Sequence, residues 1–362
     1  MSRKLSCLVT GGSGFLGQHI VRQLAESKKY NITVFDVRPM ANAPEGVISL
    51  VADLRKLDQV EAAIKDMDIV FHVATAAPTG ENALNIQLMQ SVNVTGTENV
   101  IQACKSCGVK ALIYTSSASV VFEGKPLKHV DEDCPYASKP MDYYTRTKID
   151  GEKLILAANS KSLQTVALRP SGIFGEGDMV FVPTLVRNAR KGKMKYIIGS
   201  GENLMDFTYA GNVALAHLLA ADALTSCDTS TRDRVAGKAY FITNDEPVPF
   251  WNFMGDTCAE LGYPRPARHL PFFLIIFIAA IFEYVIRPLV KPIMGNLQTD
   301  FTVNRILIAT THRSFSCNRA KKDFGYRPAI KLHDALKKSI TAFEHLSYDN
   351  WQKELTGATK KK

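Results

Sequence analysis

A short apolar strand that runs straight into three evenly spaced glycines constrains this chain more than any other stretch. Leu5-Ser6-Cys7-Leu8-Val9-Thr10 reads as a buried strand. Gly11, Gly14 and Gly17 follow in the pattern G-x-x-G-x-x-G, and an apolar-periodic helix continues to about Glu26. Glycine at these places permits a tight turn, close approach of the backbone to a ligand and close packing of helix on strand. The helix N-terminus brings unpaired N–H groups and a partial positive charge to the same spot. Strand, turn and helix in that order predict a dinucleotide-binding loop, with Gly11, Ser13, Gly14, Phe15, Leu16 and Gly17 at the pyrophosphate.

The next strand gives the adenosine end. Asn31-Ile32-Thr33-Val34-Phe35 ends at Asp36, about twenty residues past the glycines, where a carboxylate binds ribose hydroxyls. Asp36 would repel a 2′-phosphate, which favours NAD. Arg38, just beyond, could pair with that phosphate, so NADP stays open. Asp53 closes the strand-like run from Ile48 to Ala52. It is placed either to reach the adenine or to cap a helix beginning near Leu57.

Strands and helices go on alternating. Asp68–Ala74 reads as a buried strand whose end, at Ala74, lies by the cofactor. A long helix covers about Leu84 to Cys107, with Asn93 inside it holding a water or a backbone group behind the site. Ala111–Thr115 is the fifth strand and ends in Ser116-Ser117, where a hydroxyl can hydrogen-bond a reacting oxygen. A helix from about Asp142 to Ala158 precedes the strand Gln164–Arg169, which ends in Pro170-Ser171-Gly172, with Ser171 on the cofactor side. This order predicts an α/β chain with a Rossmann-type doubly wound parallel sheet over 1–180. Later strands and helices return to it from 181–250. A smaller C-terminal substrate lobe spans 181–362, interrupted by an apolar membrane-associating segment at about 270–294.

Tyr144 and Lys148 stand four residues apart in the predicted helix, on one face and one turn apart. A free phenol titrates near pH 10 and is a poor base at neutrality. A nearby ammonium favours the phenolate, and a buried ammonium together with a nucleotide's positive ring could supply a shift of about three units, about 4 kcal/mol. The pair could then move a proton on or off an alcohol oxygen. Tyr143 has no lysine four residues on and reads as packing or substrate wall.

Gly11–Gly17, Asp36, Ser117, Tyr144 and Lys148 together resemble the extended short-chain dehydrogenase/reductases. Tyr114–Gly124, Arg169–Gly175, Asp206–Tyr209 and Phe241–Pro247 are similar to the 3β-hydroxysteroid dehydrogenase group, and the resemblance covers nearly the whole chain. It implies NAD(P)-dependent oxidation of the 3β-hydroxyl of a 4α-carboxysterol to the 3-ketone, with loss of the C4 carboxylate as carbon dioxide. Tyr144 would be the base. Lys148 would lower its pKa and bind the nicotinamide ribose, and Ser117 would hydrogen-bond the substrate oxygen. No metal is implied. A steroid dehydrogenase/Δ5-isomerase, more remotely a nucleotide-sugar epimerase, and a non-catalytic NAD-binding scaffold are the alternatives. The resemblance also implies an endoplasmic reticulum membrane location with the catalytic domain facing the cytosol, or a lipid droplet. Other sterol C4-demethylation enzymes are implied partners, as is a homodimer.

The apolar run Leu270–Phe282 fits a substrate that partitions into lipid. Glu283 and Arg287 then intrude, and Pro288 and Pro292 are expected to stop the helix. A helix from Phe272 to Arg287 would be ~24 Å long, short of the ~30 Å hydrocarbon core. Residues after about Phe301 read as the rest of the same lobe, so a monotopic anchor is expected rather than a crossing. A buried core helix is the alternative.

The net charge of +9 suits an anionic cofactor, an acidic substrate or an anionic membrane surface. No basic stripe is interleaved with aromatics, so nucleic acid is not expected. Seven scattered cysteines do not suggest a disulfide framework, and Cys104 and Cys107 read as packing residues. The chain opens on a strand, so no signal peptide is expected, and Lys360–Lys362 reads as a solvated end. Pro183–Met194, Tyr209, Asn212, Phe250 and Trp251 are candidates for a steroid-sized pocket, with core packing as the alternative. Arg146, Arg187, Lys193 and Lys195 are candidate cations for the substrate's carboxylate.

Overall fold

The computed structural model describes residues 3–77, 85–289 and 301–359. Its centre is a seven-stranded parallel sheet of β1 (Leu5–Thr10), β2 (Tyr30–Asp36), β3 (Ile48–Val51), β4 (Ile69–His72), β5 (Ala111–Thr115), β6 (Gln164–Pro170) and β7 (Lys238–Ile242). The spatial order is β7-β6-β5-β4-β1-β2-β3. The order reverses between β1 and β4, where Cys7–Thr10 pairs in register with Ile69–His72. A crevice therefore opens beyond the carboxyl ends of these two strands, the usual ligand site of an open parallel sheet.

Both faces of the sheet are covered, which is why its strands are nearly continuous apolar runs. In β1, Cys7 and Val9 enter one core and Leu8 the other, following the period of two. The first core contains Leu16, Ile20, Val21 and Leu24 of α1 (Phe15–Ser27), which meet the small residues of α7 (Ala210–Leu224). The second contains residues of α2 (Leu57–Ile64), α4 (Gly96–Cys107) and α5 (Tyr143–Ala157). Cys104 is fully buried in this second core.

The helix expected over 84–107 is broken by a wide turn. It runs as α3 (Ile86–Gln90), a π-helical turn Ser91–Thr95, and α4. Its predicted start at Leu84 lies outside the described residues.

Beyond the carboxyl edge of the main sheet lies a smaller lobe. Its core joins Val182, Leu185 and Val186 of α6 (Phe181–Arg190) to Phe253 and Cys258 of α8 (Phe250–Glu260) and to Leu332 and Leu336. Phe207 stacks on Phe253 with ring centroids 3.9 Å apart. A separate four-stranded sheet has the order Val248–Pro249, Leu204–Met205, Arg313–Phe315, Leu127–Val130.

The apolar segment is the helix α9 (Phe272–Ile281), continued by a π-helical turn Phe282–Ile286. The helical stretch reaches Leu289, so Pro288 does not stop it. Proline removes one N–H, and the widened turn just before it gives its ring room. Residues 290–294 of the predicted segment, and the Lys360–Lys362 tail, lie outside the described residues.

The helix does not sit in the core. Ala279 is buried, but Phe273 is 83% exposed and Phe277 63%. Both ends stay on the lobe. Arg268–Leu270 before the helix pairs with Tyr196–Ile198. After it, Glu283 Oε2 accepts the Val303 N–H at 2.8 Å, at the start of α10 (Val303–Thr310).

Candidate active site

The glycine loop fits a pyrophosphate. Gly11 has φ +71°, and a side chain there would put Cβ 2.6 Å from the Ala74 Cα. That close approach seats Ala74, at the end of β4, directly against the loop. A Cβ on Gly17 would lie 2.1 Å from the Gly11 carbonyl oxygen, so this glycine is what lets α1 pack against the turn. A Cβ on Gly14 would meet only the Gly11 oxygen, at 3.1 Å. Gly14 is the N-cap of α1 and has no side-chain cap, and the first turn carries no acidic residue. The first amides of the helix are thus left for an external anion. Leu16 offers only backbone, because its side chain is in the core. Phe15 lies edge-on to His19 at 5.7 Å.

Asp36 closes over this loop. Its carboxylate accepts the Ser13 N–H at 3.1 Å and the Arg38 N–H at 3.2 Å, and Ser13 Oγ donates to the Arg38 carbonyl at 2.8 Å. The Arg38 residue is otherwise exposed. Asp53 caps no helix. The N-cap of α2 is Lys56, and Asp53 instead chelates the Arg55 guanidinium, whose hydrogen bonds hold its carboxyl below the usual range. Ser171 is buried at the end of β6, and its hydroxyl donates to the Asp206 carbonyl at 3.0 Å.

Tyr144 and Lys148 lie on α5, whose N-cap Asp142 accepts the Thr145 N–H at 2.7 Å. Lys148 is fully enclosed. Its Nζ donates to the Thr115 carbonyl at 2.8 Å and lies 4.9 Å from the Tyr114 ring centroid and 6.0 Å from that of Tyr144. Gly151 makes the approach possible, since a Cβ there would sit 2.7 Å from the Tyr114 hydroxyl.

The two adjacent serines divide sharply. Ser116 Oγ is buried and spends its hydrogen on Glu152. Ser117 Oγ instead accepts the Ser119 N–H at 3.2 Å and the Ser119 hydroxyl at 2.9 Å. Its own hydrogen is left for a ligand oxygen.

The electrostatics of the protein without a nucleotide show what Lys148 does by itself. Lys148 alone does not depress Tyr144. Burial pushes Tyr144 above the ordinary phenol value and the Asp142 carboxylate adds to this, against a hydrogen bond from Thr75. Burial likewise pushes Lys148 down to about 7, although Glu152 pulls it up. Desolvation is the largest cause at both groups.

Several supporting residues, Asn93 apart, were not singled out in the sequence. Glu152, one turn beyond Lys148, binds Arg169 through Nε at 3.1 Å and accepts the Tyr136 hydroxyl at 2.7 Å. Thr115 Oγ1 lies 2.7 Å from His217 Nε2, and His217 Nδ1 lies 2.8 Å from the Val213 carbonyl. The carbonyl can only accept, so Nδ1 carries the proton and Nε2 accepts from Thr115. Asn93, in the π-helical turn, does hold backbone. Its Oδ1 accepts the Ala76 N–H at 2.7 Å, and its Nδ2 donates to the Ala76 carbonyl and to Thr147 Oγ1. The i,i+4 spacing of Glu152 from Lys148 was the available signal for the first of these. The others depend on contacts between distant elements.

In the lobe, Tyr209 and Asn212 are committed to packing. Tyr209 donates to Glu176, and Asn212 holds Asn244 and the Ala329–Ile330 backbone. Phe250 and Trp251 pack on the lobe core. Of the predicted cations, Arg146 pairs with Asp150 at 3.2 Å, and Arg187, Lys193 and Lys195 are exposed.

A sequence profile of the 3-beta hydroxysteroid dehydrogenase/isomerase family matches residues 8–272. The chain is 43% identical over 354 residues to "Sterol-4-alpha-carboxylate 3-dehydrogenase, decarboxylating" of Mus musculus, covering 96% of this chain and 94% of that one. It is 42% identical to "3beta-hydroxysteroid-dehydrogenase/decarboxylase isoform 1" of Arabidopsis thaliana, covering 96% of this chain and 81% of that one. Among solved structures it resembles "MoeE5 in complex with UDP-glucose and NAD" with a TM-score of 0.69 at 24% identity, covering 94% of this chain and 99% of that one. It also resembles the UDP-glucose 4-epimerase of Thermus thermophilus in complex with NAD, with a TM-score of 0.68 at 22% identity and the same coverage. At these identities the structures speak for the fold alone.

Proposed function

This chain belongs to the 3-beta hydroxysteroid dehydrogenase/isomerase family, and from that premise we propose that it oxidises the 3β-hydroxyl of a 4α-carboxysterol and releases the C4 carboxylate as carbon dioxide. The observation that carries this reading is the gathering of Ser117, Tyr144 and Lys148 at the carboxyl end of β5, beside a glycine loop built for a pyrophosphate. NAD fits the loop, with Asp36 receiving the adenosine ribose hydroxyls. When bound, its nicotinamide accepts the hydride from C3.

The protein's own groups handle the proton and the oxygen. Tyr144 takes the proton of the 3β-hydroxyl, and Ser117 donates a hydrogen bond to the same oxygen. Lys148, fixed by the Thr115 carbonyl, holds the nicotinamide ribose and offsets the charge on Tyr144. Removal of proton and hydride leaves a ketone beside the carboxylate. The bond from C4 to the carboxylate carbon then breaks, its electron pair passes into the ketone as an enolate, and carbon dioxide leaves. Tyr144, now protonated, and Ser117 both donate to the enolate oxygen. C4 takes up a proton from solvent and Tyr144 returns its own to solvent, so no net proton is consumed.

A membrane surface is the site of action in this reading, specifically the cytosolic face of the endoplasmic reticulum. The exposed apolar face of α9 supports it as a monotopic anchor. The test is to incubate purified protein with NAD and a 4α-carboxysterol and to follow NADH and carbon dioxide together. Equal yields support the proposal. NADH without carbon dioxide would assign a plain 3β-hydroxysteroid oxidation, and neither product would leave only a nucleotide-binding scaffold.

A further inference from the structure

Among the described residues, two arginines have enclosed guanidinium nitrogens without a hydrogen-bond partner, and only one of the two has a counter-charge. Arg169 is matched by Glu152 through Nε and Nη2. Arg313 makes no ion pair among the described residues. Its Nη2 donates to the Met205 sulfur at 3.1 Å, a weak acceptor, and its guanidinium carbon lies 5.2 Å from the Phe122 ring centroid. Its Nε is shut off from solvent and has no hydrogen-bond partner. Asp206, on the neighbouring chain segment, does not answer it. Its Oδ2 takes the Phe315 N–H at 2.7 Å, and burial pushes its carboxyl up to about 7. Enclosing a cation without an anion is costly, and burial pushes Arg313 down to about 10.

The neighbours of Arg313 locate it. Phe122 ends the short helical turn that Ser117 caps, directly after β5. The Met205 methyl is 3.0 Å from where a Cβ on Gly172 would lie, just past β6. Arg313 itself pairs with Met205 and with Leu127 in the small sheet. The guanidinium therefore lies beyond the ends of β5 and β6, on the Ser117 side. The glycine loop follows β1, three strands from β6. At ~4.8 Å per strand that is a lateral distance of ~14 Å, which separates Arg313 from the pyrophosphate.

We propose that Arg313 is the binding residue for the carboxylate of the sterol substrate, so that it selects carboxylated over uncarboxylated 3β-hydroxysterols. This rests on the function proposed above. A guanidinium forks onto a carboxylate with two parallel hydrogen bonds. The Phe122 ring supports its plane, and the Met205 sulfur gives way readily to a carboxylate oxygen. None of the four cations suggested by the sequence has this combination of enclosure and unpaired donors.

The test compares kcat/KM for a 4α-carboxysterol and for the matched 4α-methyl 3β-hydroxysterol, in the wild type and in Arg313→Met, with folding checked by thermal melting. Methionine conserves the apolar bulk against Phe122 and Met205. We expect the preference for the carboxylated sterol to fall at least tenfold, mainly through KM. An unchanged preference, whether both activities fall or neither does, overturns the proposal. Should Arg313→Met not fold, Arg313→Lys keeps the charge and loses the fork. A loss of preference in that variant supports the assignment, and an equal loss on both sterols overturns it. A wild-type protein that oxidises both sterols alike without releasing carbon dioxide would remove the proposed function itself, a result visible before any variant is made.

Discussion

Lys148 is fully enclosed and Tyr144 half-buried, and burial is the largest cause of the pKa shift at each in the protein alone. Tyr144→Phe removes the group proposed above to take the substrate proton. It should cost roughly 10²–10⁴-fold in kcat, while NAD titration by fluorescence still shows binding. Wild-type turnover by this variant would exclude Tyr144 as the base. Asp206 yields a stability prediction with a definite sign. Its carboxyl is raised to about 7 by burial, and its Oδ1 lacks a partner. The folded state therefore prefers the neutral acid. The penalty for the charged form is absent near pH 4, grows as pH rises toward 7, and is complete above that. Asp206→Asn keeps an oxygen for the Phe315 N–H and should raise the melting temperature at pH 8 by a few degrees and much less at pH 5. An equal effect at both pH values would show that the charge is not the cause. The sequence exposes Tyr144 and Lys148 because an i,i+4 pair on one helix is local. It hides Arg313, because the register of Arg313 with Met205 and Leu127 joins segments far apart in the chain.

At the level of the element, the loop after β1 uses its glycines for different purposes, and two variants separate them. Gly17→Ala would place a Cβ 2.1 Å from the Gly11 oxygen, so α1 must move off the turn. The melting temperature should fall sharply, with a loss of roughly 3 kcal/mol or more from overpacking. Gly14→Ala adds a Cβ 3.1 Å from that oxygen, at a residue whose φ of −77° any amino acid adopts. The cost to folding should be about 1 kcal/mol, whereas the new methyl stands where the phosphate oxygens approach. NAD affinity should fall at least tenfold in calorimetric titration. If both variants lose stability equally, the two roles are not separate. The strand–loop–helix unit was legible because its glycines report the backbone directly. The π-helical turn Ser91–Thr95 was not, because it depends on Asn93 bridging the Ala76 backbone and Thr147 on another helix. The end of the apolar helix was also misread, since Pro288 is tolerated after a widened turn.

For the whole molecule, the placement of α9 bears on the proposed membrane contact. The helix turns Phe272, Ile275, Ile276 and Ala279 toward the lobe and Phe273, Phe277, Ile281 and Tyr284 outward. An ordinary surface helix would put polar side chains on that outer face. Its 18-residue helical stretch, Phe272–Leu289, would be ~27 Å long, close to the ~30 Å hydrocarbon core. Length alone would thus allow a crossing. The flanking chain does not, because Arg268–Leu270 and α10 belong to the same lobe and Glu283 ties the helix back to Val303. In the monotopic anchor proposed above, the helix lies along one leaflet with its outer face among the acyl chains. Burying a large apolar side chain contributes ~1.5–3 kcal/mol, so three of them supply about 5–9 kcal/mol, enough for stable partitioning without a span. The net charge of +9 adds attraction to an anionic surface. We therefore expect the full chain to remain in the pellet after alkaline carbonate extraction and to float with phosphatidylserine-containing vesicles. The triple variant Phe273→Ser, Phe277→Ser, Tyr284→Ser should appear in the supernatant and still oxidise a sterol presented in detergent, because these side chains point away from the lobe core. Release of the unaltered protein by carbonate would remove the anchor. Retention of the triple variant would show that some other surface holds the protein to the membrane.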